Sequence, residues 1–590
     1  MTEKRNGYLV SKALRTFMFA SVLASLAQRL ATMTDAIVVS NLIGPDAISA
    51  INVVTPVITL FPTISILFGI GGSILAAKAI GRRDAEEANR VFTTALLASL
   101  LSSILLTVVL FLLTTEVVAL VCPRDSRFFG MAVSFMHVMA LSAVPTVVGF
   151  TLQNFVKTDG NPRLVLVTVL SSTALNLLLD IVFIKVFGMG IAGSAWGTIV
   201  CFIFSMCVIL THFRSPRCSF HLDSSVLKGH FSISHLSFSI AKEGFPMSIN
   251  TLLMGACVFG FNSIVMHTLG ADGMYVWSVC LQLLMLVQLM LAGVGSSIYS
   301  IGGLLIGERD MMGLNILIRR VMTYVGMALL ALLIIIEAWP EVFGNMFGGG
   351  DSGVSRQLHE ALRIFSLILL PYALLAILNA LYQILGYRTA SIGISIAQLL
   401  AMVCSVWLFS LINPSSLWWG FPTSAIGLVT VVIAATWGMH VKRPDTAPVT
   451  LIPGNTEGKA LNISVRLTSE ELVMALKDIV AFLKECKVDH TTAFNVRLCC
   501  DELISNIVCY AVEKHPEKHY VDVHIRCGET RVSVLLKDDG HPFNPTLKDT
   551  PQGIENLGLR LVNATNPNIN YKYMYDQNMV FMTFQRNLND

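Results

Sequence analysis

Residues 28–46 read QRLATMTDAIVVSNLIGPD and place a single carboxylate, Asp35, inside a run that otherwise has the composition of a membrane span. An ionised Asp in hydrocarbon costs several kcal/mol unless it faces a polar cavity, so Asp35 is a candidate functional residue. The surroundings support that reading. The chain has 590 residues, of which 54% are hydrophobic and 13% charged, with a mean hydropathy of +0.67. Such values exclude a purely soluble protein and fit a polytopic membrane protein. From about Leu14 to His440 apolar runs long enough to cross ~30 Å of hydrocarbon follow one another, whereas beyond Lys442 charges are dense and apolar runs short.

The apolar runs fall at about 14–42, 47–77, 91–115, 129–153, 163–187, 191–212, 241–269, 273–305, 318–338, 360–385, 388–412 and 417–440, predicting twelve spans. Lys and Arg gather in the even-numbered loops, as at Lys78, Arg82, Arg83, Arg214, Arg217, Arg319 and Arg320, while Glu116, Glu337, Glu341 and Asp351 mark odd ones. The positive-inside rule then puts both termini in the cytoplasm of a multi-pass plasma-membrane protein. MTEKRNGYLVSKALRTF reads as a retained cytoplasmic tail, since it lacks a short apolar core ending at small residues. The 12 cysteines have no metal-type spacing and suit reduced thiols. A net charge of +3 gives no sign of a nucleic-acid partner.

An internal repeat organises the spans. At a separation of 226 residues Gly44 matches Gly270, Asp46 matches Asp272, Gly69 matches Gly295, IGRRD (80–84) matches IGERD (306–310), Pro145 matches Pro371, and Gly160 matches Gly386. Two parallel six-helix repeats, about 14–212 and 241–440, form an all-α polytopic membrane domain over residues 1–440, the architecture of a secondary transporter.

Asp35 lies about 21 residues beyond Leu14, and Asp180 about 17 beyond Arg163, roughly 31 and 26 Å along outward-running helices. Asn176 shares the face of Asp180, and Thr32 and Gln28 share that of Asp35. A polar pocket of Gln28, Thr32, Asp35, Asn176 and Asp180 is expected to bind a coupling proton or cation. Two plainer readings stand beside it: Asp180 solvated near the outer surface, and Asp35 paired with Arg29. The repeat mate of Asp35 is Phe261, so the site is expected in one half only.

TDAIVVSNLIGPDAISAINVVTP, GIGGSILAAKAIGRRD, QNFVKTDGNPR and NLLLDIVFIKVFGMGIAGSAWGT resemble the multidrug and toxic compound extrusion (MATE) transporters over about residues 10–440. The resemblance implies a two-lobe antiporter that exports small amphipathic organic cations across the lipid bilayer against Na⁺ or H⁺. It also implies coupling carboxylates at Asp35 and Asp180 with Asn176 nearby.

Residues 441–461, rich in proline, read as a linker. Beyond them LNISVRLT is a strand candidate, and TSEE opens a helix with Thr468 and Glu471 at capping-box spacing. A second helix starts near His490, and YVDVHIRC and TRVSVLLKD alternate as a hairpin does. Two more strands close an α+β sandwich over 462–590. Glu502 and Asn506 lie one helical turn apart, and Asp538 and Gly540 follow a strand directly. E-x-x-x-N, D-x-G-x-PFNP, a Gly-containing lid and D-x-N resemble the GHKL (Bergerat-type) ATP-binding fold, closest to the anti-sigma-factor serine kinases. That resemblance implies Mg²⁺ on Asn506, Glu502 as catalytic base, adenine on Asp538, and Gly540, Gly553 and Gly558 around the ATP. Asn556-Leu557-Gly558 stands where the family usually has G-x-G.

The combined expectation is a cation-coupled antiporter whose cytoplasmic domain binds ATP and either regulates transport or phosphorylates a protein target. The alternative is a membrane-anchored signalling kinase whose transporter-like part senses a ligand. No G-x-x-x-x-G-K-[ST] loop is present for ATP-driven export.

Overall fold

The computed structural model describes residues 5–122, 124–216, 218–227, 233–339, 352–454, 459–507, 518–546, 557–566 and 569–586. Among these are eleven helices long and apolar enough to cross a membrane, and a twelfth span if the bent pair Phe129–Ala140 and Ala143–Thr158 is one. In order they are Tyr8–Thr32, Ser49–Arg82, Ala85–Leu112, the bent pair, Pro162–Val186, Gly190–Arg214, Ser234–Gly270, Asp272–Gly307, Met311–Ala338, Arg356–Leu385, Arg388–Ile412 and Pro414–Lys442. They fall where the hydropathy places them. The fourth bends by 52° just before Pro145, whose ring nitrogen cannot donate across the break.

Backbone conformation carries the repeat as clearly as identity does. Gly44 and Gly270 take φ of 120° and 66°, Arg83 and Arg309 take 64° and 59°, and Gly160 and Gly386 take 86° and 88°. Each pair is 226 residues apart. A left-handed residue costs an L side chain free energy, so its recurrence in register at Arg83 and Arg309 marks a conserved turn rather than an accident of glycine content. Gly270 is the sharp break at which the seventh span hands over to the eighth.

The repeats touch through glycines. A Cβ on Gly81 would lie 2.2 Å from the Leu304 carbonyl oxygen and 2.8 Å from the Gly307 Cα. Its repeat mate Gly307 would meet the Lys78 carbonyl oxygen at 2.2 Å and the Gly81 Cα at 2.7 Å. Backbone so close cannot yield to a methyl group without moving a helix. Gly81→Ala is therefore expected to cost about 1–3 kcal/mol as overpacking and to lower the unfolding temperature. Gly130→Ala, with nothing within 4 Å, is the neutral control. Thermal unfolding of the two purified variants checks this. Beside that contact the buried Glu243 accepts from Lys78 Nζ at 2.8 Å and from Arg388 Nε, while Gln383 Nε2 donates to its carbonyl at 2.5 Å. Four spans are thereby joined at one residue.

The chain forms two compact units. One comprises Met18–Asp310 and Ile318–Ile452; the other comprises Pro453–Asp590 together with the chain start through Phe17 and Met311–Leu317. This partition departs from the expected boundary at both ends. The first half of the expected linker is folded against the membrane domain, with Tyr382 Oη donating to the Val449 carbonyl at 2.6 Å and Ala447 N to the Ile452 carbonyl at 2.9 Å.

In the second unit strands β1 (Lys459–Arg466), β2 (Tyr520–Cys527), β3 (Arg531–Asp538), β4 (Asn570–Met574) and β5 (Gln577–Gln585) form an antiparallel sheet in the order β1-β2-β3-β5-β4. Helices Ser469–Glu485, His490–Asn506 and Leu557–Thr565 cover one face, burying Ile463, Val465, Val523, Val534, Leu503 and Met582 among others. The expected capping box forms differently. Thr468 makes no side-chain cap bond, and Glu471 accepts from Arg466 N at 2.8 Å instead.

Strand alternation leaves Ser464, Asp522 and Lys537 on the other face, aligned across β1, β2 and β3. The N-terminal residues meet that face. Arg5 reaches Asp522 Oδ2 through Nε and NH2 at 3.2 and 3.1 Å, and Asn6 N donates to Ser464 Oγ at 3.1 Å. Gln577 Nε2 donates to the Leu9 carbonyl at 2.7 Å, and the Phe17 ring meets Tyr575 edge-on at 5.7 Å. Leu9, Leu14 and Phe17 are buried. The segment expected as a retained cytoplasmic tail is a folded part of this second unit.

Candidate functional sites

Three spans build the carboxylate site. Asp35 comes from the first helix, which runs unbroken from Tyr8 to Leu42, and Asn176 and Asp180 come from the last two turns of Pro162–Asp180. The sixth span supplies Ser194, whose Oγ donates to Asp35 Oδ1 at 3.4 Å, and Gly197, where a Cβ would lie 2.8 Å from Asp180 Oδ1. Asp35 and Asp180 interact directly. Asp180 is fully buried, which removes the solvated reading, and neither of its oxygens receives a hydrogen bond from a donor group. Two acceptor-only carboxylates in contact repel unless a proton or a cation lies between them. The arrangement is one that can hold and release such an ion.

Arg29 does not pair with Asp35; its NH2 donates to Gln282 Oε1 at 2.6 Å. Asn176 interacts with Cys201 on the sixth span. Gln28 is drawn away from the carboxylates. Thr32 Oγ1 bonds back to the Gln28 carbonyl at 3.1 Å, and Gln28 lines a different cavity, between the repeats. Two helical turns separate Gln28 from Asp35, so a shared face does not give a shared pocket. Ser194 and Gly197 escaped the sequence reading because they lie on a third helix. The spacing of small residues in GIAGSAWGT, a stripe that admits close approach, was the available signal.

In the second unit Asp538 is buried at the end of β3, and its Oδ1 accepts from Gly540 N at 2.9 Å and Asn578 Nδ2 at 2.7 Å. Asn578 Oδ1 in turn accepts from Tyr571 Oη at 2.7 Å and Phe543 N at 3.2 Å. The D-x-N element therefore acts by holding the Asp538 turn. Burial pushes the Asp538 carboxyl up to about 6, against the lowering effect of the Asn578 and Gly540 bonds. Asn506 is buried at the end of its helix, and its Nδ2 donates to the Glu502 carbonyl at 2.6 Å, which leaves the hard amide oxygen as the group for a metal. Glu502 is half-buried one turn earlier. Gly558 lies in Leu557–Thr565, and Gly553 lies outside the described residues. A carboxylate acceptor, a backbone turn at glycine and an amide oxygen fit a magnesium-bound adenine nucleotide.

The pH dependence follows from Asp538. An adenine amine needs the ionised acceptor, and the carboxyl protonates as pH falls through about 6. Nucleotide affinity is expected to be level from neutral pH upward and to weaken below about 6, which calorimetric titration across pH measures.

Comparison with known proteins matches two regions of the chain. Residues 20–182 match the family MatE, and residues 465–584 match the family described as a histidine kinase-like ATPase domain. The chain is a multi-pass membrane protein whose helical domain has the fold of MATE transporters and is followed by a domain similar to histidine kinase-like ATPases. It is 24% identical to "Probable multidrug resistance protein YoeA" of Bacillus subtilis over 54% of this chain and 69% of that one. It is also 24% identical to "Multidrug export protein MepA" of Staphylococcus saprophyticus, over 35% of this chain and 45% of the relative. Among solved structures, an outward-facing multidrug resistance MATE family transporter of the MOP superfamily superposes with a TM-score of 0.66 at 20% identity. That match covers 73% of this chain and 97% of the other. A MOP superfamily transporter from Pyrococcus furiosus, described as having a binding pocket of reverse polarity, superposes equally well at 0.66 and 21% identity.

Proposed function

We propose that the protein is a cation-coupled exporter of amphipathic organic compounds, driven by Na⁺ or H⁺ through Asp35 and Asp180 and controlled by nucleotide bound in its cytoplasmic domain. The observation that carries the coupling reading is the contact between two carboxylates, one fully buried and without a donor. Na⁺ or H⁺ entering between them relieves their repulsion, and its loss restores it. The test is substrate flux in proteoliposomes under an imposed Na⁺ or H⁺ gradient. Flux that follows one gradient supports the reading, and flux indifferent to both removes it.

Control by nucleotide draws support from the N-terminal helix. Lys12 Nζ reaches Asp539 Oδ2 at 2.6 Å, and Asp539 directly follows Asp538. The helix holding Lys12 is the one that continues to Asp35. A nucleotide ordering the Asp538 turn would thus act on the first turns of the helix that carries the coupling carboxylate. Lys12→Ala, which leaves the Asp538 contacts and the His519 partner of Asp539 in place, is expected to leave nucleotide bound and to abolish the nucleotide's effect on flux. An undiminished effect would remove Lys12 from the route. Phosphotransfer to a protein target is the alternative output of the domain, with Glu502 as base and Asn506 holding Mg²⁺; labelled ATP with cell extract tests it.

A further inference from the structure

The cavity that Gln28 lines is about 210 Å³ and draws residues from both repeats, including Gln153, Asn154 and Lys157 from the fourth span and Met247, Tyr299 and Ser300 from the seventh and eighth. Its polarity is one-sided. Lys157 is the single charged side chain among the lining residues, with no carboxylate beside it. Among the described residues its ammonium group has neither an ion pair nor a hydrogen bond, and the side chain is half-buried in the cavity wall. The interior carboxylates are committed elsewhere. Asp35 and Asp180 interact with one another and do not line the cavity, Asp159 pairs with His212, and Glu243 already has two cations. Arg29, the other interior cation of the first helix, is satisfied by Gln282 and brings no negative charge.

An ammonium group partly withdrawn from water without a partner is unfavourable in isolation, and a fitting anion relieves that cost. A cationic ligand in the same cavity would add a second positive charge in a medium of low dielectric, where repulsion is weakly screened. The apolar lining offered by Ile66, Ile70, Phe150 and Met247 suits a hydrophobic body. Neutral polar groups complete the wall without changing its sign: Asn154 Nδ2 is committed to the Phe150 carbonyl at 2.9 Å, and Tyr299 Oη donates to Gln383 Oε1 at 3.2 Å.

We infer that this cavity binds a soluble amphipathic organic anion, with its carboxylate, sulfonate or phosphate group on Lys157 and its apolar body on the aliphatic and aromatic wall. The inference departs from the organic-cation class that the family resemblance implies, and it depends on the exporter reading only for the cavity's place in the transport route. Coupling and substrate recognition are then divided by charge: the carboxylate pair takes the cation, and Lys157 takes the anion.

Three fluorescent probes with one common body separate the charge effect: dansylglycine (anionic), dansylglycinamide (neutral) and dansylcadaverine (cationic). Binding is measured on the full chain in nanodiscs of neutral phosphatidylcholine, then with anionic phosphatidylglycerol added. Dansylglycine is expected to bind about tenfold more tightly than dansylcadaverine. Lys157→Arg should keep that ranking, Lys157→Gln should level it, and Lys157→Glu should reverse it. Equal or cation-favouring binding by the wild-type chain overturns the proposal, as does a ranking unchanged in a normally melting Lys157→Gln. Displacement of the anionic probe by phosphatidylglycerol would overturn the soluble occupant in favour of a lipid headgroup. If the binding ranking and its Lys157 dependence hold but no probe is transported, the exporter reading fails and the anion site stands; ion-driven transport of the cation alone does the reverse.

Discussion

Asp180→Asn is expected to abolish ion-driven transport, lowering initial rates roughly 100-fold or more, the scale on which a lost proton-transfer group acts, while the protein still folds. The amide keeps the volume of the carboxylate in the space that Gly197 leaves open, so packing on the sixth span is preserved. It also supplies a donor toward Asp35, replacing repulsion with a hydrogen bond. The variant should accordingly melt no lower than wild type and yet bind no coupling ion. Asp35→Asn should behave alike in transport, with a smaller effect on stability because Asp35 is only partly buried and already has the Ser194 hydroxyl. The double variant should be no worse than either single one, since the two carboxylates act as one site. Additive losses would mean two separate sites.

The second large effect is expected at Asp538. In the proposed reading its carboxylate accepts from an adenine amine, and a hydrogen bond to a charged group contributes about 1.5–3 kcal/mol, or roughly 10–150-fold in affinity. Asp538→Ala should weaken ATP binding by that factor and erase any preference for ATP over GTP. Part of the loss will come through the turn, because Gly540 N and Asn578 Nδ2 both lose their acceptor. Asp538→Asn separates these contributions: it keeps an acceptor oxygen for the turn while removing the charge. Calorimetry with the two nucleotides on the full chain reads both. ATP affinity unchanged in Asp538→Ala would place the nucleotide elsewhere.

Much of the membrane domain was legible because hydropathy and the repeat are properties of the chain itself. Gly44, Gly160 and IGRRD recur in register because each marks a backbone turn that the duplicated unit needs, and the left-handed Arg83 and Arg309 follow the same register. Asp35 and Asp180 could be singled out because a carboxylate in hydrocarbon is costly wherever the fold puts it. What helical periodicity could not give was the third wall of their site, from Ser194 and Gly197, or the separation of Gln28 into the central cavity. Those depend on which helices approach and how closely.

The N-terminal segment was misread for a related reason. Its Arg5 and Lys12 look like ordinary cytoplasmic basic residues, and Ser464, Asp522 and Lys537 look like the wet face of a sheet, until Arg5 and Asn6 cover Asp522 and Ser464. Nothing local in either stretch names the other. The D-x-N element was visible in sequence, whereas the role of Asn578 in holding the Asp538 turn required the register of β3 against β5, which sets Asp538 opposite Asn578.

The most direct test of coupling reverses the flux. Proteoliposomes loaded with a pH- or Na⁺-sensitive dye receive an inhibitory-free pulse of transported substrate, and ion movement is followed with no ion gradient imposed. Wild-type protein should move H⁺ or Na⁺ opposite to the substrate, and Asp35→Asn and Asp180→Asn, reconstituted at equal density, should move none. Substrate flux without counter-ion movement, or counter-ion movement that survives both substitutions, would contradict the account.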